Sequence, residues 1–134
     1  MNVPANLKYT KDHEWLKVDE AWIGITDHAQ HELGDIVFIE VETVGETLGK
    51  HESFGTIEAV KTVSDMYMPV GGEVLEFNDN LTTNPEIINQ DPYEKGWVIK
   101  IKVGNAGEIA ELLDAAQYEA LIGTVRNVGY RLAA

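Results

Sequence analysis

The run "GWVIKIKV" at 96–103 constrains the fold more than any other stretch of the chain. Trp97, Ile99, Ile101 and Val103 fall on one parity, and Lys100 and Lys102 on the other. A two-residue period puts the apolar side chains on one face of a strand. Shorter runs repeat it. Leu16 and Val18 share a face in "EWLKV", as do Ala21, Ile23 and Ile25 in "AWIGIT". In "DIVFIEVE" the alternation sets Val37, Ile39 and Val41 against Glu40 and Glu42, and in "EVLEF" it pairs Leu75 with Phe77. Turn signals separate the runs: "DE" at 19–20, "VGE" at 44–46, "GG" at 71–72 and "DPYEKG" at 91–96. Many short half-buried strands predict a mainly β domain.

Helical signals are few. "TDHAQHELG" offers Thr26 or Asp27 as an N-cap and Gly34 as a stop, and "NPEIINQDP" has room for about one turn after Pro85. In "AGEIAELLDAAQYEALIG", Ile109, Leu112, Leu113, Ala116 and Ala120 keep helical spacing, and Asp114 is placed to cap a second piece. Gly123 reads as a helix stop. The chain's two arginines, Arg126 and Arg131, both follow it in a stretch without acids. Residues 1–123 are therefore expected to form one domain and 124–134 a peripheral tail.

Composition removes several functions. The 134 residues include no cysteine, which excludes disulfides, thiolate metal sites, thiol nucleophiles and any redox chemistry not brought in by a cofactor. The net charge is −13. Residues 1–123 alone hold 8 lysines against 23 acids, a net of −15, with no basic cluster for phosphate. Nucleic acid is an unsuitable partner, whereas basic protein surfaces would be attracted at low salt. No apolar run is long enough to span a membrane, and "MNVPANLKYTKDHEW" lacks the marks of a signal or transit peptide. A soluble cytoplasmic protein is expected.

Lys61 is the one basic residue in "IEAVKTVSDMYMPVGGEV", where two strand-like runs nearly meet, so it belongs at or beside a hairpin tip. By position alone it is an ordinary solvated lysine. Catalysis by its amine would need burial or a neighbouring cation, but Glu58 and Asp65 flank it. A phosphate-binding role would need a glycine-rich loop leading into a helix. Acylation remains, since an exposed amine can be presented to a modifying enzyme.

"FGTIEAVKTVSDMYMPVGGEV" resembles the prosthetic-group hairpin of lipoyl and biotinyl carrier domains. With "KYTKDHEWL" at 8–16, "GITDHAQHELGDIVFIEV" at 24–41 and "NPEIINQDPYEKGW" at 85–97, the chain is similar over roughly residues 7–122 to the glycine cleavage system H proteins. The resemblance implies a flattened β-barrel, or two-sheet sandwich, with an early helix and C-terminal helices. It implies lipoate in amide linkage on Lys61, on an arm reaching about 14 Å. Gly71 and Gly72 would form the turn after the second hairpin strand, and Glu14 and Asp65 match positions able to hold the amine of the loaded arm. Ala59 and Gly71 stand where the family usually has Ser, changes too small to block attachment.

The implied role is a non-catalytic shuttle. A pyridoxal-phosphate glycine decarboxylase (P protein) would load an aminomethyl group. A tetrahydrofolate-dependent aminomethyltransferase (T protein) would remove it, and dihydrolipoamide dehydrogenase (L protein) would reoxidise the arm. A lipoate ligase or lipoyltransferase would attach the lipoate. A carrier presenting a free arm is expected to be a monomer. The alternative is an H-like protein relaying lipoyl groups to other 2-oxo acid dehydrogenase complexes. A biotin carrier is disfavoured because Val60 and Thr62, not methionines, flank Lys61. A dehydrogenase lipoyl domain is disfavoured by the missing linker and catalytic domain, and a self-contained enzyme by the lack of a nucleophile or metal set. His28, His31 and Glu32 miss the zinc-hydrolase spacing and read as polar helix surface. His13 and Glu14 are adjacent and, on a strand, would point apart. Trp15, Trp22 and Trp97 read as packing residues.

Overall fold

The computed structural model describes the backbone of residues 2–128 and the side chains of residues 2–123. In chain order the strands are β1 (Lys8–Tyr9), β2 (Glu14–Lys17), β3 (Trp22–Ile25), β4 (Ile36–Glu40), β5 (Thr47–Leu48), β6 (Ser53–Ala59), β7 (Val63–Tyr67), β8 (Gly72–Phe77) and β9 (Ile99–Val103). They form a six-stranded antiparallel sheet, ordered β1-β2-β3-β9-β8-β5, and a three-stranded sheet, ordered β4-β6-β7. Leu16, Ile23, Val74, Ile99 and Ile101 from the first sheet share a buried core with Ile36, Ile39, Phe54, Ile57 and Met66 from the second. This is the mainly β two-sheet sandwich the sequence leads one to expect. It is open rather than a closed barrel, because β5 and β7 are left as edge strands.

The alternation in β9 holds: Ile99 and Ile101 are buried, Val103 is half-buried and Lys102 is exposed. Two other runs depart from it. The register of β4 against β6 shifts between Ile36 and Phe38, so Ile36 and Ile39 point inward while Val37 and Phe38 are exposed. The register of β8 against β9 shifts between Val74 and Glu76, which buries Val74 and turns Leu75 outward. A bulge adds one residue to one strand, and every later side chain changes face. Val37 and Leu75 are therefore surface residues and not core ones. Val18 lies beyond the end of β2 and is also exposed.

Helix α1 (Asp27–Leu33) begins at Thr26, whose Oγ1 accepts from Ala29 N at 3.1 Å, and ends at Gly34 with φ of 84°. A polar stretch with few apolar positions hides α2 (Asn80–Thr83), which packs through Leu81. Helix α3 (Ile87–Gln90) is the single turn expected after Pro85. Toward the end of the chain, Ala106–Glu111 is a 3₁₀ helix and α4 spans Ala115–Val128. Asp114 separates them with a reciprocal cap: Gln117 N donates to its Oδ1 at 2.8 Å, and its own N donates to Gln117 Oε1 at 2.9 Å. The break resets the helical phase. Ala116 and Ala120 are exposed, and Tyr118 is fully buried.

Helix α4 continues past Gly123, which is buried within it. A mid-helix glycine costs about 1 kcal/mol but does not by itself end a helix. Residues 129–134, most of the expected tail, lie outside the described residues. Nor do Gly71 and Gly72 make a shared turn. Gly72 opens β8, where a Cβ would collide with Lys102 O, so close strand packing is what requires glycine there.

Candidate functional site: a hairpin tip beside an acid-lined cavity

Strands β6 and β7 pair in register from Thr56–Asp65 to Glu58–Val63, and Ala59 N donates to Thr62 O at 2.8 Å to close the turn. Val60 and Lys61 are the two residues at the tip. Val60 N donates to Asp35 O at 3.1 Å, which ties the tip to the chain leaving α1. Lys61 is exposed and makes no hydrogen bond or ion pair among the described residues. Its amine is therefore free on a rigidly held turn, the placement the sequence predicts.

Beside the hairpin lies a cavity of about 220 Å³ between β7, α1 and the segment entering β2. Its lining includes His13, Glu14, His28, Glu32, Ile57 and Asp65. Glu14 is 2% exposed. Thr10 Oγ1 donates to its Oε1 at 2.6 Å, and Tyr67 N, on the edge of β7, donates to its Oε2 at 3.1 Å. Burial outweighs these two bonds and pushes the carboxyl up to about 7. Asp65 is exposed at the rim, where Ser53 Oγ donates to its Oδ1 at 3.2 Å. The structure thus brings Glu14 and Asp65 to one cavity, one buried and one open to water. Asn89 braces the wall: its Nδ2 donates to Gln30 Oε1 and to Gly34 O, both at 2.9 Å, while Ile36 N donates to its Oδ1.

Comparison with known proteins decides the family. The model of the glycine cleavage H-protein family matches residues 7–125. The chain is 56% identical over 124 residues to the glycine cleavage system H protein of Bacteroides thetaiotaomicron, covering 91% of this chain and 98% of that one. It is 54% identical over 127 residues to the H protein of Chlorobium limicola, covering 92% and 99%. The chain belongs to the glycine cleavage H-protein family. A crystal structure of the H protein from Mycobacterium marinum superposes with a TM-score of 0.79 at 36% identity, covering 90% of this chain and 99% of that one. H proteins are non-catalytic lipoyl carrier components of the glycine cleavage system.

Two histidines that the sequence reads otherwise line the cavity, and a tyrosine the sequence did not single out stands behind them. His13 is not on β2 but precedes it with φ of 70°, so strand alternation does not apply and it lines the same cavity as Glu14. His28 is not plain helix surface: its ring lies 4.7 Å from that of His13. His31 is exposed, as expected. Tyr118 backs His13 from α4, its hydroxyl 2.7 Å from both His13 Nδ1 and Thr26 Oγ1. Burial, then the proximity of His28, lowers the His13 pKa. The described residues hold no cluster of three potential metal ligands. No described helix is long and apolar enough to cross a membrane. Trp15 is a packing residue whose Nε1 donates to Ile25 O and Pro92 O, while Trp22 and Trp97 stack on each other at 5.3 Å.

Proposed function

We propose that this H protein carries lipoate in amide linkage on Lys61 and shuttles the aminomethyl group of glycine from the decarboxylase to the aminomethyltransferase. Dihydrolipoamide dehydrogenase and a lipoate-attaching enzyme are its other cytoplasmic partners. One observation carries the reading: Lys61 is an exposed amine without an internal partner, at a tip held by two paired strands. That fits an attachment point, because a side chain already engaged would have to be released before it could react. Lipoate bound there supplies the dithiolane that a cysteine-free chain lacks.

The chain's own residues then present and shelter. The paired strands of the hairpin and the Val60–Asp35 bond fix the tip on which Lys61 is exposed. The cavity beside β7 offers Glu14 and Asp65 as acceptors for a carried amine. A cation entering the cavity would favour the ionised form of Glu14, opposing the effect of burial.

The test is intact mass after incubation with a lipoate ligase, ATP and lipoate. Wild type gains one lipoyl increment and Lys61→Arg gains none. An unmodified wild type beside a modified control carrier would remove the central residue of this reading.

A further inference from the structure

The bulge in β4 places two consecutive large apolar side chains, Val37 at 48% and Phe38 at 50% exposure, on the outer face of the three-stranded sheet. Directly opposed residues of an antiparallel sheet project to the same side. Phe38 opposes Glu58, and Glu58 opposes Val63, which is 61% exposed. The row therefore crosses all three strands. It ends beside the tip, where Val60 is 72% exposed next to Lys61. These four are half of the large apolar residues exposed among the described side chains. The next row, Glu40–Thr56–Asp65, adds two acids, and Glu58 supplies another within the apolar row.

We propose that this strip is the docking surface for the enzyme that acylates Lys61, whose active-site mouth presents an apolar collar rimmed by Lys or Arg. The inference rests on Lys61 being the acylated residue and adds what the acylating enzyme grips. Charge complementarity sets the partner's rim: Glu40, Glu58 and Asp65 border the strip on a chain of net charge −13. Position sets the partner's identity, because a collar on this strip lies over the tip that offers the amine.

The collar also assists the reaction. In the transfer, the neutral Nζ attacks the carbonyl carbon of an acyl-adenylate. The C–N bond forms, the C–O bond to phosphate breaks with its electron pair leaving on the nucleotide, and the amine proton passes to solvent or a base on the partner. Only a neutral amine can attack, and an apolar collar that excludes water favours the neutral form of any amine.

The test uses lipoate ligase, ATP and lipoate with the unloaded chain, and reads both the loading rate by intact mass and the Kd for the ligase. The variants are Phe38→Ser and Val63→Thr, with Leu75→Thr as an exposed apolar control on the other sheet. Loss of one well-buried apolar contact weakens binding and lowers kcat/KM by roughly ten- to a hundredfold. Urea midpoints should stay unchanged, because the altered side chains lie on the surface. The Leu75 variant should load as wild type does. If the strip variants load and bind normally while wild type is loaded on Lys61, the docking surface is wrong and the attachment site stands. A strip that affects only reoxidation by dihydrolipoamide dehydrogenase would also overturn it, by assigning the surface to a different enzyme. If wild type is not loaded at all, both readings fall.

Discussion

Replacing Glu14 by Gln should become stabilising as pH rises. The Glu14 carboxyl has an ordinary pKa near 4.5 when the chain is unfolded and about 7 when it is buried in the folded protein. A raised folded pKa means that folding favours the protonated form, so the stability it confers is complete below the unfolded value and lost as pH climbs through the folded one. Integration over the two pKa values gives an ionisation cost under about 1 kcal/mol at pH 5 and about 3 kcal/mol at pH 8. Glutamine cannot ionise, but its amide nitrogen faces either Tyr67 N, a donor, or Thr10 Oγ1, which already accepts from Asp12 N and Glu14 N, at a fixed cost of about 1 kcal/mol. The variant should therefore be no more stable than wild type at pH 5 and about 2 kcal/mol more stable at pH 8. Urea titrations at several pH values would measure this. The difference between the two proteins isolates Glu14 from His13, whose lowered pKa acts in the opposite sense and removes stability as pH falls below 6.5 toward its folded value. Parallel curves, with no divergence between pH 5 and 8, would refute the claim that burial dominates at Glu14.

Tyr118→Phe removes the hydroxyl between His13 and Thr26 and should cost about 1–2 kcal/mol in urea unfolding. Thr26→Ala loses the cap of α1 as well as that contact and should cost somewhat more, about 2–3 kcal/mol. Gly72→Ala drives a methyl group into the Lys102 carbonyl and should lower the urea midpoint by the equivalent of about 3 kcal/mol or give insoluble protein. In a reconstituted system with the decarboxylase, aminomethyltransferase and dihydrolipoamide dehydrogenase, the lipoylated chain should support glycine turnover, while Lys61→Arg should not. No turnover with competent partners would favour the lipoyl-relay alternative.

How much was legible depended on the range of the interactions. Features set within a few residues could be read directly. The alternation of Ile99 to Val103, the Thr26 cap, the Asp114 break and the placement of Lys61 each need only local chemistry. The bulges could not be read, because "DIVFIEV" carries apolar residues on both parities and either face can be taken as the inner one. The cavity is harder still. Its walls come from segments 12–14, 25–33 and 57–66, and the hydroxyl that holds His13 lies 105 positions away on α4. The left-handed backbone at His13, which turns it toward the same space as Glu14, has no signal in "KDHEW".

The doubled apolar parity of "DIVFIEV" nevertheless has a physical meaning once the bulge is seen. A strand apolar on both faces is ordinarily covered on both. Strand β4 is covered on one, by the core through Ile36 and Ile39, and exposes Val37 and Phe38 on the other. Burying that face within the chain would require a second layer, which none of the described helices provides, and it would also crowd the tip that holds Lys61. Leaving the face open keeps the amine accessible at the cost of exposed apolar surface. On the docking proposal that cost is offset when the acylating enzyme covers the strip, which would give the bulge and the accessible lysine a common explanation.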